Sequence, residues 1–360
     1  SRLIQNRLNE WKIPFEAGVA TTGVVAWLKP CDPLAMRRPA VALRADMDAL
    51  PITERTGLPY ASRRPGFMHA CGHDGHTAIL LGVALCLQEN RHHLSRPVKL
   101  LFQPAEESGA GAARMIQAGV LREKIGGFAA EAVVGFHNWP GLPMGAVVVG
   151  NGPVMAGADR LRITVEGRGG HAAMPHLTDD VNVAATALVQ ALQTIISRRR
   201  RFTDAALLSI CQLQAGHSHN VLPGHATLDG TLRYLDPDLR GPMHDEVHRI
   251  CKGIGIAFGC RISAEFDNGY PPTINNAALA EAAERIATEN GRNVLMDQLP
   301  AGAAEDFAFY GQHVPSVYLK LGVDDPTAPQ PGLHNDQFDF NDALITPAVE
   351  LLSSLVVALP

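Results

Sequence analysis

The chain has 360 residues, of which 46% are hydrophobic and 19% are charged, and it carries a formal net charge of -5 at pH 7. This composition excludes a disordered chain, and the length predicts two domains, because single cores stop growing near roughly 250 to 300 residues. Basic residues are scattered except at 198–201, so we expect no nucleic-acid partner, and no apolar stretch reaches the roughly 18 to 20 residues of a membrane span.

The first part of the chain, from residue 24 to about 158, alternates apolar runs with helical patterns. Strands are predicted at 41–46, 98–103, 132–136 and 145–150, and helices at 77–88 and around 112–118. This order is typical of an α/β domain. Ligands bind beyond the carboxyl ends of strands in open α/β sheets, so a functional site is expected at that edge.

The pattern changes near residue 159 and returns near residue 270. Between these positions the predicted order is β-α-β-β-α-β, which matches the ferredoxin-like motif. A strand in VPSVYLKLG and a final helix at about 342–358 follow it. We therefore expect a discontinuous catalytic domain, residues 1–158 and 270–360, with an inserted domain at 159–269.

The cysteines show neither a CxxC pair nor the dense spacing of small secreted scaffolds; they are Cys31, Cys71, Cys86, Cys211, Cys251 and Cys260. This usage favours a reducing compartment, so we expect a cytoplasmic protein. The chain begins inside an amphipathic helix pattern, SRLIQNRLNEW, and an export signal or another preceding segment stays an alternative.

The motif HACGHDGH, at 69–76, concentrates thiol and imidazole groups in a short segment. Cys71 and His73 lie in a glycine-containing turn before a helix, where the helix N-terminus favours a thiolate. An isolated buried cysteine is typical of an inert core. A segment with so many thiol and imidazole groups beside glycines is not typical of a hydrophobic core, however. The pattern therefore favours metal binding by Cys71 and His73.

The motif FQPAEE places Glu106 and Glu107 after a predicted strand and a proline. Adjacent residues on a turn point in different directions, so one carboxylate is expected to bind a metal and the other to hold a water. An isolated Glu-Glu pair is also typical of a helix N-terminus. His137 after AVVGF and His334 in GLHNDQFDF complete the set. Sulfur, nitrogen and oxygen ligands together suit zinc, manganese, cobalt or nickel better than magnesium or calcium.

A series of motifs resembles the amidohydrolase branch of the aminoacylase and carboxypeptidase G clan of metallopeptidases, which holds hippurate hydrolase and the plant auxin-conjugate hydrolases. In chain order the motifs are RADMDALPI, HACGHDGHTA, FQPAEE, GFHNWPGLPMG, GPVMAGAD, GGHAAMPH, HNVLPG, GTLR, AEDFAFY and LHNDQFDFND. The resemblance implies a zinc-exopeptidase-like two-domain α/β fold, with a mixed-sheet catalytic domain and an inserted ferredoxin-like α+β dimerisation domain.

The resemblance also implies a pair of divalent metal ions, bound by Cys71, His73, Glu107, His137 and His334 with Cys71 as the bridge. Glu106 would be the general base of the reaction. Asp48, in DMDALP, would orient a ligand, because metal-bound imidazoles usually donate their other N–H to a carboxylate. A turn-forming aspartate is the alternative for Asp48.

In the inserted domain, the resemblance assigns His171 to the developing oxyanion in the neighbouring subunit's site. Asn220 and Arg233 would recognise the free carboxylate of the substrate, for which a guanidinium is a natural bidentate partner. A surface salt bridge is the alternative for Arg233. This arrangement requires a homodimer, with a tetramer as a larger alternative.

We therefore expect a metal-dependent amidohydrolase that cleaves N-acyl amino acids of the hippurate or N-acetyl type. A metallo-carboxypeptidase or dipeptidase and an N-acetyl-diaminopimelate deacetylase are near alternatives. A cysteine hydrolase with Cys71 as nucleophile is a more distant one, as is a peptide-binding protein descended from an enzyme. The native metal, the acyl group and the preferred amino acid are left open by the sequence.

Overall fold

The computed structural model describes residues 1–296, 298–325 and 331–359, apart from the side chain of residue 268. The helices are α1 (Arg2–Glu10), α2 (His73–Glu89), α3 (Gly111–Ala118), α4 (Val181–Arg199), α5 (Arg240–Phe258), α6 (Ala277–Glu289), α7 (Ala308–Gly311) and α8 (Ile345–Ala358). The strands are β1 (Phe15–Val19), β2 (Gly23–Leu28), β3 (Ala40–Asp46), β4 (Val98–Gln103), β5 (Ala130–Pro143), β6 (Val147–Val148), β7 (Gly152–Met155), β8 (Gly157–Glu166), β9 (Gly170–His171), β10 (Ala206–Ala215), β11 (Val221–Leu222), β12 (His225–Tyr234), β13 (Arg261–Tyr270), β14 (Thr273–Asn275) and β15 (Ser316–Asp324). Single turns of 3-10 helix lie at Ala35–Arg37, Arg91–His93, Pro175–Leu177, Pro237–Leu239 and Asp342–Leu344.

The chain folds into two compact units. The first unit comprises Ser1–Val154, Thr273–Pro300 and Glu305–Pro360, and the second comprises Met155–Pro272 and Ala301–Ala304. The strands β7 and β14, at the two ends of the long insertion, pair with each other. The chain therefore leaves and re-enters the first unit beside the same short ribbon.

A mixed sheet with strand order β1-β2-β4-β3-β5-β15-β6 forms the centre of the first unit. Its inner strands β4, β3, β5 and β15 run parallel, β2 and β6 pair antiparallel to them, and β1 pairs antiparallel to β2. Every residue of β3 and β4 is buried, which explains the nearly continuous apolar runs AVALRAD and VKLLFQ. The order places β3 between β4 and β5, so the segments after these strands lie at one edge.

Helices α2 and α8 pack against each other beside this sheet. The buried face of α2 includes Ile79, Leu80 and Val83, which belong to the same hydrophobic core as the sheet. The two helices approach closely at Gly82, where an added Cβ would lie 2.6 Å from a methyl carbon of Val349. Among the described helices, none combines the length and apolar character that spanning a bilayer requires.

The end of β5 differs from the sequence-based expectation. The sequence predicts that the strand ends at residue 136 and that His137 follows it, but β5 continues to Pro143. The continuation is stabilised by parallel pairing with β15, in which Lys320 lies opposite His137. His137 is therefore held within a strand rather than in a loop.

In the second unit, an antiparallel sheet has the strand order β10-β12-β8-β13, with α4 and α5 packed on it. Along β8 the side chains of Leu161, Ile163 and Val165 are buried, whereas Arg160 and Arg162 between them are exposed. This alternation is typical of a strand with one face in the core. The chain order confirms the predicted ferredoxin-like β-α-β-β-α-β arrangement within a mixed α/β protein.

Candidate metal centre

The first unit gathers the predicted metal ligands at the ends of its central strands. The predicted site residues in this unit are Asp48, Cys71, His73, Glu106, Glu107, His137 and His334. We call five of them, Cys71, His73, Glu107, His137 and His334, the ligand cluster. They come from four separate segments of the chain, so their approach to one another depends on the fold.

The turn Cys71-Gly72-His73 fixes the thiol and the first imidazole of the cluster. Gly72 precedes α2 with φ 85° and ψ 15°, in the left-handed region that glycine adopts without strain. An added Cβ at Gly72 would lie 2.2 Å from Oδ1 of Asn138, so space as well as backbone conformation requires glycine. Cys71 and His73 are 6% and 1% exposed, and both are held rigidly by this turn.

Three members of the cluster direct donor atoms towards a common point. One donor atom each from Cys71, His73 and Glu107 lies within 4.8 Å of the other two. Nε2 of His73 and Oε1 of Glu107 are 4.0 Å apart, and neither makes a hydrogen bond to any described residue although both are buried. Leaving such an atom without a partner costs about 1–3 kcal/mol. These three residues therefore fit a bound cation.

His137 and His334 approach the same residues from two other directions. Nε2 of His137 lies 3.4 Å from Sγ of Cys71, while its Nδ1–H donates to the main-chain oxygen of Asn138 over 2.6 Å. This tautomer leaves the Nε2 lone pair facing the thiol. Nε2 of His334 lies 3.2 Å from Oε1 of Glu107, and its side chain is 51% exposed. The Cys71 thiol is thus close to both His137 and Glu107.

Asp48 contacts two members of the cluster. Its main-chain oxygen accepts a hydrogen bond from Nδ1 of His73 over 3.0 Å, and its Oδ2 accepts one from the Glu107 N–H over 3.1 Å. The sequence predicts that the carboxylate orients the imidazole, but the nearest carboxylate oxygen lies 3.4 Å from Nδ1 and the main-chain oxygen is closer. Asp48 therefore orients His73 chiefly through its backbone, and its carboxylate holds the Glu107 segment.

The proton affinities of the cluster depend on burial and on nearby carboxylates. Burial alone would lower the pKa of His73, but Asp46 and Asp48 raise it to about 9. Burial, and after it the carboxylate of Glu107, raises the pKa of the Cys71 thiol. A thiolate at this position needs a compensating positive charge, which a divalent cation provides.

Glu106 lies beside the ligand cluster, next to a second group of carboxylates. It is 7% exposed, and its Oε1 accepts a hydrogen bond from the Asp306 N–H over 3.4 Å. Carboxylate oxygens of Glu106, Glu305 and Asp306 lie within 4.8 Å of one another. Burial, followed by the charges of Glu305 and Asp306, raises the pKa of Glu106 well above its ordinary value. A raised pKa suits a carboxylate that takes up and releases a proton near neutral pH.

A buried arginine behind this site was not predicted from the sequence. Arg44 is 0% exposed and forms ion pairs with Asp46, Glu305 and Asp306 at 2.7, 2.9 and 2.9 Å. The available signal is an arginine inside the apolar strand AVALRAD, because arginine is almost never fully buried unless it is paired. The identity of its partners depends on contacts more than 250 positions away, between residues 44 and 305–306.

His76, the last residue of the motif HACGHDGH, is not positioned as a metal ligand. Its Nδ1–H donates to Oδ1 of Asp46 over 2.6 Å, and its Nε2 accepts from the Asn138 N–H over 3.0 Å. Both ring nitrogens are therefore occupied. His76 connects Asp46 to the backbone beside His137 instead.

The remaining predicted site residues belong to the second unit. His171 lies on β9, opposite Val221 of β11, and its Nδ1 accepts from the Ala173 N–H over 3.0 Å. Asn220 directly precedes β11, and its main-chain oxygen accepts from the Ala172 N–H over 3.1 Å. Arg233 lies on the separate strand β12, where its Nη1 donates to the main-chain oxygen of Leu232 over 3.0 Å. The pairing of β9 with β11 thus brings His171 and Asn220 together.

Comparison with known proteins agrees with this fold. The chain is 42% identical to N-acetyl-L-cysteine deacetylase of Bacillus subtilis over 286 residues, which cover 79% of this chain and 67% of the relative. It is 34% identical to IAA-amino acid hydrolase ILR1-like 5 of Arabidopsis thaliana over 361 residues, covering 99% of this chain and 80% of the relative.

A solved structure shows the same architecture. The YXEP protein of Bacillus subtilis, described as a dinuclear metal binding peptidase from the M20 family, superposes with a TM-score of 0.84 and 32% identity. The match covers 99% of this chain and 90% of the other. The model of peptidase family M20/M25/M40 matches residues 42–358, which span both units. The chain therefore belongs to peptidase family M20/M25/M40.

Proposed function

We propose that this chain, an amide-bond hydrolase of the M20 family, cleaves N-acyl amino acids of the hippurate or N-acetyl type with bound divalent metal ions. The observation that carries the proposal is that two buried atoms beside the Cys71 thiol, Nε2 of His73 and Oε1 of Glu107, make no hydrogen bond to any residue that the structure describes, although Nε2 of His334 lies 3.2 Å from the carboxylate oxygen. Glu106, a buried carboxylate, lies next to them. Relatives whose names specify N-acetylcysteine and IAA-amino acid conjugates support this substrate class, because both are amides of an amino acid.

The five residues of the ligand cluster, with the Cys71 thiolate among them, would hold two divalent ions. The mixed sulfur, nitrogen and oxygen donors favour zinc, manganese, cobalt or nickel over magnesium or calcium. When bound, such ions lower the pKa of water and polarise the amide carbonyl.

The protein's own residues would supply the proton transfers and the alignment of the ligands. Glu106 would accept a proton from the attacking water and deliver it to the amine that leaves. The Asp306 N–H holds the Glu106 carboxylate in place over 3.4 Å. The main-chain oxygens of Asp48 and Asn138 fix the tautomers of His73 and His137, so that Nε2 of each ring faces the thiol side.

Arg233 and Asn220 are proposed to bind the free carboxylate of the substrate. Burial lowers the pKa of Arg233, but an arginine remains charged in proteins at neutral pH. A carboxylate subsite is shared by N-acyl amino acids, dipeptides and N-acetyl-diaminopimelate. Carboxypeptidase and deacetylase activities are therefore near alternatives, and the acyl group decides between them.

Arg233→Met is expected to lower kcat/KM for N-benzoyl and N-acetyl amino acids about 10- to 100-fold, because hydrogen bonds to charged groups contribute about 1.5–3 kcal/mol. The measurement compares each acyl amino acid with its C-terminal amide, in enzyme loaded with zinc, manganese, cobalt or nickel. The wild type is expected to prefer the free acid, and the variant is expected to lose that preference.

Arg261→Met is the matched control, because Arg261 is an exposed arginine of the same unit that pairs with Glu166. It is expected to leave the preference for the free acid intact. An unchanged preference in Arg233→Met would contradict the carboxylate assignment, and absence of hydrolysis with every substrate and metal would contradict the proposed function.

We further propose a homodimer in which His171 of one subunit acts at the site of its partner, where it would stabilise the oxyanion. The side chain of His171 is exposed on β9, which pairs with β11 in the second unit, so it is accessible to another molecule. Mixing His171→Ala with Glu106→Ala is then expected to restore about a quarter of wild-type activity, since random exchange gives half of the molecules one intact site of two.

The mixing experiment needs proof that subunits exchange. Two differently tagged wild-type preparations provide it, when mixed and recovered as a doubly tagged species. Restored activity that depends on this exchange supports the shared site. Complete exchange without any recovery of activity would show that His171 does not act across the interface.

A cytoplasmic location is proposed from the cysteines. Each of the six is a free thiol in the structure, and three of them, Cys71, Cys251 and Cys260, are buried. Fractionation of cells that express the full-length protein tests the location directly.

A further inference from the structure

We propose that Arg44 is a positioning residue that sets the place of the Glu106 carboxylate relative to His137. The proposal depends on the order of three neighbouring strands. Glu106 follows β4, His137 lies in β5, and Arg44 lies on β3 between them. The base and this ligand therefore belong to different strands, and a rigid connection through the middle strand would fix the distance between them.

The planar guanidinium of Arg44 donates four hydrogen bonds. Its Nε donates to Oε1 of Gln103 over 2.9 Å, and its Nη1 donates to Oδ2 of Asp46 over 2.7 Å. Its Nη2 donates to Oε1 of Glu305 and to Oδ1 of Asp306, each over 2.9 Å. Arg44 is 0% exposed, so water does not substitute for these bonds. The fixed fork of arginine determines all four directions at once, which the single ammonium of lysine does not do.

One side of the connection leads to Glu106. The Asp306 carboxylate is held by Arg44, by Nε2 of Gln103 over 2.8 and 2.9 Å, and by the Ala112 N–H over 2.9 Å. This clamp fixes the backbone of Asp306. The N–H of that same residue donates to Oε1 of Glu106 over 3.4 Å. Displacement of the Asp306 carboxylate would therefore displace the donor that holds the base.

The other side of the connection leads to His137. The second oxygen of Asp46, Oδ1, accepts from Nδ1 of His76 over 2.6 Å. Nε2 of His76 accepts from the Asn138 N–H over 3.0 Å, and the main-chain oxygen of Asn138 accepts from Nδ1 of His137 over 2.6 Å. Each group in this series has its position determined by the preceding one. Arg44 is thus linked by hydrogen bonds to both the base and the ligand.

The positive charge of Arg44 also stabilises this arrangement. Asp46, Glu305 and Asp306 surround a single guanidinium, and Glu106 lies against the last two. Removing one partner of a buried charged group leaves uncompensated charge, and the remaining carboxylates then repel one another. They would move apart or take up protons, and either change would move Glu106.

The test is Arg44→Lys, which keeps the charge and loses the fork. The inference rests on the proposed function only in that Glu106 is the base. A misplacement of about 1 Å costs on the order of 10²-fold in rate, so kcat per folded, cobalt-loaded enzyme is expected to fall about 100-fold, with KM changed less than about threefold. Cobalt binding and its thiolate charge-transfer absorption are expected to be retained.

Arg96→Lys is the matched control. Arg96 is 1% exposed and pairs with Glu131, and it lies before β4, at the end of that strand opposite Glu106. It is expected to lose thermal stability without a change in kcat per folded molecule. A kcat of Arg44→Lys within threefold of Arg96→Lys would overturn the proposal, as would a rate loss fully accounted for by lost cobalt.

Asp306→Asn provides a second variant in case Arg44→Lys does not fold. Its amide puts an NH₂ group in place of either Oδ1, which accepts from Arg44 and Gln103, or Oδ2, which accepts from Gln103 and Ala112. Gln103 keeps one acceptor in either orientation, whereas either Arg44 or Ala112 loses its acceptor. We expect a loss of kcat of at least about tenfold with KM retained, because one of the three anchors of Asp306 is removed. Unchanged kcat would count against the proposal.

Crystal structures of the cobalt-loaded variants separate this inference from the proposed function. Glu106 is expected to lose its contact with the Asp306 N–H in Arg44→Lys and to keep it in Arg96→Lys, whatever the substrate is. An unmoved Glu106 in Arg44→Lys would refute the positioning role. A wild type that hydrolyses no acyl amino acid would instead refute the proposed function, and the structures would still decide on Arg44.

Discussion

Glu106→Gln is expected to lower kcat about 10²- to 10⁴-fold while metal content stays at the wild-type level. Glutamine has nearly the same size and still accepts the hydrogen bond from the Asp306 N–H, but it does not take a proton from water. Steady-state kinetics with one N-acyl amino acid gives kcat, and emission spectroscopy of the dialysed protein gives the metal content.

The neighbouring residue supplies the paired control for this experiment. Glu107→Gln removes the charge of a carboxylate whose Oε1 faces Nε2 of His73 at 4.0 Å, so metal affinity is expected to fall first and activity with it. Added metal is expected to restore part of the Glu107→Gln activity and none of the Glu106→Gln activity. Metal loss with spared activity in Glu106→Gln would reverse the two assignments.

Complete removal of metal by dialysis against a chelator is expected to abolish activity, and cobalt is expected to restore it with a thiolate charge-transfer band. The band is expected to be missing in Cys71→Ala, whose activity should be at least about 100-fold lower because the shared ligand is lost. Without a cation, burial and the charge of Glu107 keep the Cys71 thiol protonated by raising its pKa.

Cys86→Ala is the control for the cysteine substitution, because Cys86 is a partly buried thiol on α2, the helix that begins at His73. It is expected to keep both the cobalt band and the activity. Hydrolysis that persists after every metal ion has been removed would favour the alternative in which Cys71 is the nucleophile. Alkylation does not decide between the two, since Cys71 is required in both.

Much of the fold is predictable because its elements are encoded locally. The predicted strand at 98–103 coincides with β4, and the predicted helix at 77–88 lies within α2. The reason is that buried parallel strands need continuous apolar runs, and helices need apolar residues at helical spacing. The β-α-β-β-α-β order of the second unit follows from the same local signals.

The extension of β5 was not predictable in this way. The residues HNWPGLP contain prolines and a glycine, which normally end a strand. They stay extended because β15, more than 180 residues later, pairs with them. Pairing between distant segments has no local signal. The position of His137 within a strand therefore follows only from the three-dimensional structure.

In the candidate site, too, some residues are predictable from the local sequence, whereas others depend on contacts between distant segments. Residue types and spacing are enough to predict Cys71 and His73 as candidate metal ligands. A thiol and an imidazole on a glycine-containing turn are typical of a binding site and not of a hydrophobic core. The partners of Arg44 come from two strand ends and a loop, and a sequence pattern does not specify which carboxylate meets which donor. Backbone geometry likewise determines that His73 donates its hydrogen bond to the main-chain oxygen of Asp48 and not to the carboxylate.

The ribbon formed by β7 and β14 has a consequence for how such proteins diversify. Because the insertion departs and returns beside one pair of strands, its two ends are already neighbours, and a short turn would span them. Lengthening or exchanging the module as one piece would therefore leave the strand order of the scaffold that holds the cations unchanged.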